Sequence, residues 1–147
     1  MRTVFCSTVV LLLFFSFNAC KKSSSTTTNN LSSINGSWQT TVWGGSNDTA
    51  IVNISASSAN GTITYLSSGA KSASSFSTGD VIFTNISSTG NSTFSLVGIY
   101  RYGSNNSQMG HANGTLTLQN STTLLVHYSA DPNTGITPPD YYWYKVQ

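Results

Sequence analysis

Charge is scarce in this 147-residue chain: 7% of its residues are Asp, Glu, Lys or Arg, and glutamate is missing altogether. Six basic side chains are too few and too scattered for a nucleic-acid interface, which needs clustered Lys and Arg to neutralise phosphates. The Ala/Glu/Lys/Leu-rich signature of a coiled coil or helical bundle is also missing. No window sustains apolar spacing at i, i+3, i+4 and i+7. Proline is confined to Pro132, Pro138 and Pro139, all in one connector, which leaves strand interiors free of it. Two scattered histidines, His111 and His127, and two cysteines, Cys6 and Cys20, make a poor metal site. No Gly-x-Ser-x-Gly, phosphate loop or paired-His motif is present, and no cofactor is expected.

What the chain has instead is small polar residues around an apolar minority. It carries 26 Ser, 20 Thr and 14 Asn, yet 38% of positions are hydrophobic, which excludes full disorder. The length suits one domain with a respectable core.

The N-terminus is an address. A basic start at Met1–Thr3 precedes the apolar run Val9–Phe17, too short for a bilayer span of roughly 20 residues and of the size of a signal-peptide core. Asn18-Ala19-Cys20-Lys21-Lys22 follows. A small residue before Cys, with Lys after it, resembles the relaxed lipobox of Bacteroidota lipoproteins; Phe17 and Asn18 depart from the strict pattern. The resemblance implies a signal peptide over 1–19 and lipidation of Cys20, hence a partner membrane at the N-terminus. By the usual sorting rule, Lys rather than Asp at position 21 favours the outer membrane of the cell envelope. The lack of acidic residues after Cys20 favours its periplasmic face over the cell surface. Lys21 and Lys22 would each gain about 1 kcal/mol from anionic lipid. Cys6 leaves with the signal, and acylated Cys20 leaves no thiol for a disulfide. Residues 20–33, with Ser23–Asn30 of low complexity, read as the lipidated Cys and a flexible tether, and 34–147 as the domain.

From Ile34 onward the hydrophobic signal has period two. The predicted strands are Ser37–Trp43, Thr49–Ser55, Gly61–Leu66, Val81–Ser87, Thr93–Tyr102, Thr115–Gln119, Thr122–Ser129 and Tyr141–Val146, separated by turn residues such as Ala59-Asn60-Gly61, Thr89-Gly90-Asn91 and Asn113-Gly114. Several strands are partly apolar on both sides, so a single flat sheet would leave an apolar side wet. Eight short strands joined mostly by hairpins predict an all-β, antiparallel, up-and-down β-barrel; the alternative is a β-sandwich.

The domain opens with Ile34-Asn35-Gly36-Ser37-Trp38. A Gly-x-Trp at the first of eight strands resembles the calycin group: lipocalins, lipocalin-like bacterial lipoproteins and avidins. The resemblance implies that Gly36 turns the chain sharply into the barrel base, that Trp38 plugs that end, and that Lys145 stacks on Trp38. The chain reaches Gln147 straight after a strand, where lipocalins continue into a helix.

Three functional readings follow. The leading one is a non-enzymatic, lipid-anchored, lipocalin-like module holding a small apolar ligand inside the barrel, lined by Ile63, Tyr65, Phe83, Phe94, Leu96, Leu116 and Leu124. Small barrels can equally be filled solid by such side chains. The second is a glycan- or protein-interaction module. Alternation puts Tyr142 and Tyr144 on the side away from Tyr141 and Trp143, so one pair is exposed. The third, a hydrolase, would need Asp131 and Asp140 to meet at the barrel mouth. Asp48-Thr49-Ala50 also resembles a Bacteroidota O-glycosylation site at Thr49.

Overall fold

A computed structural model describes residues 30–43 and 47–147. Cys20, the signal segment and the tether up to residue 29 lie outside these residues. Eight strands run β1 (Gly36–Thr40), β2 (Ala50–Ser55), β3 (Asn60–Leu66), β4 (Val81–Ser88), β5 (Thr93–Tyr102), β6 (Gln108–Asn120), β7 (Thr123–Tyr128) and β8 (Tyr141–Lys145). Each pairs antiparallel with its sequence neighbour, and the sheet closes on itself as an up-and-down barrel. The seam places Trp38 opposite Lys145 and Gln39 opposite Tyr144. It is extended by the Val146 N–H donating to the Ser37 carbonyl at 2.9 Å. Closure leaves no free sheet edge and disposes of the sandwich alternative.

Period two explains the sidedness. Val52, Ile54, Ile63, Phe83, Phe94, Leu116, Leu124, Val126 and Trp143 are all at most 1% exposed and form one core. Large inward rings sit against inward glycines. A Cβ on Gly61 would stand 2.5 Å from the Phe83 ring, and one on Gly98 would stand 2.2 Å from Tyr128. Phe83 in turn meets Trp143 edge-on, with centroids 5.9 Å apart. Alternating small and large residues in this way fills a tapering barrel.

The structure departs from the sequence pattern in four places. In β3, Ile51 lies opposite Tyr65 and Val52 opposite Ile63, so Thr64 is an extra residue. This bulge reverses the parity and turns Tyr65 outward, 50% exposed, away from the ligand-lining position that strict alternation assigns it. β6 begins at Gln108, seven residues before its predicted start, because Gly110 under the Tyr100 ring and Ala112 are both buried and the ladder with β5 stays unbroken from Thr93–Thr117 to Tyr102–Gln108. Residues 113 and 114 are therefore mid-strand and not a turn.

A short helix, α1 (Ser68–Ser74), crosses between β3 and β4. Ser67 caps it by accepting the Ala70 N–H, and Ser75 ends it in the left-handed region at φ 56°. Only Ala70 of this helix is buried, so it carries no apolar stripe to betray it. Finally, β1 stops at Thr40 rather than Trp43, and Trp43 folds back over one end of the barrel, 8% exposed.

The opposite end is the base. Gly36 takes φ +118°, a conformation that favours glycine. Leu31 and Ile34 tuck beneath the strands at no more than 1% exposure, so the folded body starts within the stretch that the sequence assigns to the tether. The Trp38 indole N–H donates to the Ile34 carbonyl at 2.7 Å. Lys145 Nζ lies 5.4 Å from the centre of the Trp38 ring.

Candidate functional site

The end opposite the base is where this barrel is not filled. β4 pairs with β5 only as far as Phe83 opposite Gly98, whereas β5 runs on to Tyr102. Beyond that point the space beside β5 is taken by α1 and Phe76. The helix is tied to the β5–β6 hairpin by two bonds to its 3-10 turn, Ser104–Asn106: the Asn106 amide donates to the Ala73 carbonyl, and the Ser75 hydroxyl to the Asn105 carbonyl at 3.3 Å.

A cavity of about 220 Å³ lies at this mouth. One wall is aromatic: Trp43, Phe76, Tyr128 and Tyr141. Ile99, Tyr100, Arg101 and Tyr102 contribute a second wall, drawn from both faces of the overhanging end of β5. The connector Ile136–Pro139 closes the third side. Trp43 organises the first wall, stacking on Tyr141 at 5.6 Å and leaning on Phe76 at 6.0 Å and Trp143 at 5.6 Å.

Polar groups around this cavity are unevenly satisfied. Asp131, 1% exposed, is the hub that fixes the rim. Its carboxylate accepts the Tyr100 hydroxyl at 2.8 Å and the N–H groups of Asn133 at 2.8 Å and His111 at 3.0 Å. Chiefly the Asn133 N–H, helped by Tyr100 and His111, holds its carboxyl below the usual carboxylate range. Tyr100 also meets the Thr134 hydroxyl at 2.6 Å, which anchors the 130–140 connector to β5.

Burial pushes the Tyr100, Tyr128 and Tyr141 phenols up from their usual value. At neutral pH they are therefore neutral groups and not nucleophiles. In contrast, Trp43 Nε1 and Arg101 Nε are buried with no hydrogen-bond partner among the described residues. Buried donors of this kind are rare in native proteins and call for an explanation.

The residues singled out by sequence fall into three places. Ile63, Phe83, Phe94, Leu96, Leu116 and Leu124 are buried and pack the barrel interior; none of them, nor the outward-turned Tyr65, lines the mouth cavity. Tyr142 and Tyr144 are 51% and 52% exposed on the outer face of β8. Thr49 is half-buried just before β2, its N–H bonded to the Ser67 hydroxyl.

Asp131 serves the rim, as described, and Asp140 pairs with the exposed His127 at 2.9 Å. Each carboxylate is thus engaged structurally. Among the described residues no cluster of three or more His, Cys, Asp or Glu could hold a metal, and no helix is long and apolar enough to cross a membrane.

Sequence reasoning missed the cavity residues Trp43, Phe76 and Arg101. One signal was available: Arg101 is the one arginine after the signal segment, set between two tyrosines at a strand end. Phe76 carried none, because its place depends on a helix without an apolar stripe. Comparison of the chain with protein-family models, curated proteins and solved structures finds no match to any of them.

Proposed function

We propose that this chain is a non-enzymatic binding module, tethered to the outer membrane through lipidated Cys20, that holds a small ligand at the mouth of a lipocalin-like barrel. The observation that carries the reading is the aromatic cavity at the mouth, lined by Trp43, whose indole donor has no partner among the described residues. An apolar wall with a few convergent polar groups is the usual make-up of a small-molecule site. The volume lies below the roughly 300–1,000 Å³ of drug-sized sites, which points to a small ligand. The packed interior favours a site at the rim over one in the middle of the barrel, where alternation alone puts it.

Native mass spectrometry of the protein purified from its own cell envelope tests this. A stoichiometric small-molecule adduct that disappears in Trp43→Ala supports the reading. Its absence from the unaltered protein argues against it.

A second reading has its own support. Strand register lines up Tyr65, Ile51, Gln39, Tyr144 and Thr123 as one row across the outer surface of β3, β2, β1, β8 and β7. Tyr65 and Tyr144 stand three strands apart, about 14 Å at the usual strand spacing. Half-exposed rings separated by Ile51 and the Gln39 amide, with the Thr123 hydroxyl beyond Tyr144, suit stacking on a glycan. Loss of glycan retention in a Tyr65→Ser, Tyr144→Ser double variant, with the small-molecule adduct intact, would favour this face over the mouth.

A further inference from the structure

We infer that the ligand of the mouth cavity is a small organic anion, a ring-bearing carboxylate, with Arg101 as its charge partner. The inference rests on the reading of the cavity as a binding site and adds the chemical class of what it takes.

The argument begins with the carboxylates. After the signal segment the chain has four, with no glutamate among them. Asp48 accepts the Ser67 hydroxyl, Asp80 accepts the Ser77 N–H, Asp131 holds the rim, and Asp140 pairs with His127. Among the described residues, Arg101 therefore has no carboxylate within ion-pair distance. Its guanidinium carbon sits 5.1 Å from the centre of the Phe76 ring, and Phe76 is 4% exposed. The ring holds one face of the guanidinium in place but accepts none of its N–H bonds, and Nε remains buried without a partner. A half-buried guanidinium whose Nε–H is buried and unpaired gains most from a planar, bidentate acceptor, which a carboxylate supplies.

The rest of the cavity describes the remainder of the ligand. Trp43, Tyr128 and Tyr141 offer apolar faces, and Trp43 Nε1 is a second unmatched donor. The 220 Å³ volume equals that of about seven liquid waters at roughly 30 Å³ each, room for a single ring with its acid group. Among the described residues no other Lys or Arg competes for the role: neither Lys71 on α1 nor Lys145 at the barrel base lines the cavity.

The test uses two probes alike in size and differing in charge, phenylacetate and phenylacetamide. Both are titrated into the purified full-length protein by calorimetry, with the Trp43 indole N–H resonance followed in parallel. The expected result is phenylacetate binding at least about tenfold more tightly than the amide, the scale of one charge-assisted hydrogen bond. In Arg101→Gln the two affinities should converge while the amide still binds. Arg101→Lys, which keeps the charge but not the fork, should retain part of the preference and guards against a folding defect in the first variant. Equal affinities in the unaltered protein, or a preference that survives Arg101→Gln, overturn the anion inference and leave the cavity reading standing. If neither probe binds at millimolar concentration and the Trp43 signal stays fixed, both fall.

Discussion

The Tyr128 ring lies against Gly98 so closely that a single methyl group on that glycine would come within 2.2 Å of the ring carbon Cε1. Gly114 flanks the same ring, with a Cβ there standing 3.0 Å from Tyr128 Cδ1 and 2.6 Å from the His127 carbonyl. The ring is 6% exposed and forms part of the cavity wall, so it has no room to swing away without disturbing the mouth. Gly98→Ala should destabilise the barrel by about 1–3 kcal/mol, the ordinary cost of overpacking a filled core. Denaturant melts check this, and the double variant Gly98→Ala, Tyr128→Leu should recover part of the loss.

Acid should loosen the rim before it unfolds the base. The Asp131 carboxyl is held below its usual value, mainly by the Asn133 N–H. Its folded pKa thus lies below its unfolded one, about 3.9. The stabilisation is fully present above that unfolded value and is lost as pH falls through the folded value. Thermal stability should therefore fall more steeply below about pH 4 in the unaltered protein than in Asp131→Asn. The variant should already be less stable at pH 7, because an amide nitrogen would face one of the donors that the carboxylate now accepts. A parallel pH dependence in the two proteins would contradict this.

At the base, the indole and the ammonium contribute on different scales. Lys145→Met removes the cation over Trp38 and should cost about 0.5–1 kcal/mol, as for an exposed cation–π contact. Trp38→Ala opens the core and abolishes the 2.7 Å bond to the Ile34 carbonyl; the expected loss is about 3–5 kcal/mol. Should Lys145→Met cost as much as Trp38→Ala, the lysine would have a role beyond covering the ring.

On the proposed lipidation of Cys20, membrane attachment would depend on one thiol. Cys20→Ser should release the protein from the membrane fraction while leaving the fold unchanged by circular dichroism, since the barrel contains no cysteine. Unchanged fractionation after this substitution would refute lipidation.

The alternation of side chains by itself narrowed the architecture to a closed barrel or a sandwich, and the β1–β8 seam decided between them. Eight period-two segments without a crossover helix, apolar on both sides in places, have few ways to keep water off those sides other than curling shut. Alternation also set Tyr142 and Tyr144 on the side away from Trp143, because parity holds wherever a strand is regular, and the closed barrel left that pair outside. Parity fails where a strand is not, and one extra residue in β3 was enough to turn Tyr65 outward.

The mouth cavity lay beyond any such rule. Whether a barrel is hollow or filled depends on which rings meet which glycines across strands far apart in sequence, as Tyr128 meets Gly98 and Phe83 meets Gly61. The mouth cavity exists because β4 stops pairing before β5 ends, and because Trp43, Phe76 and Arg101, carried by three separate segments, converge there. Local propensity acts over a few residues, whereas that convergence arises only when the sheet closes, so tertiary structure alone decided where the cavity lies.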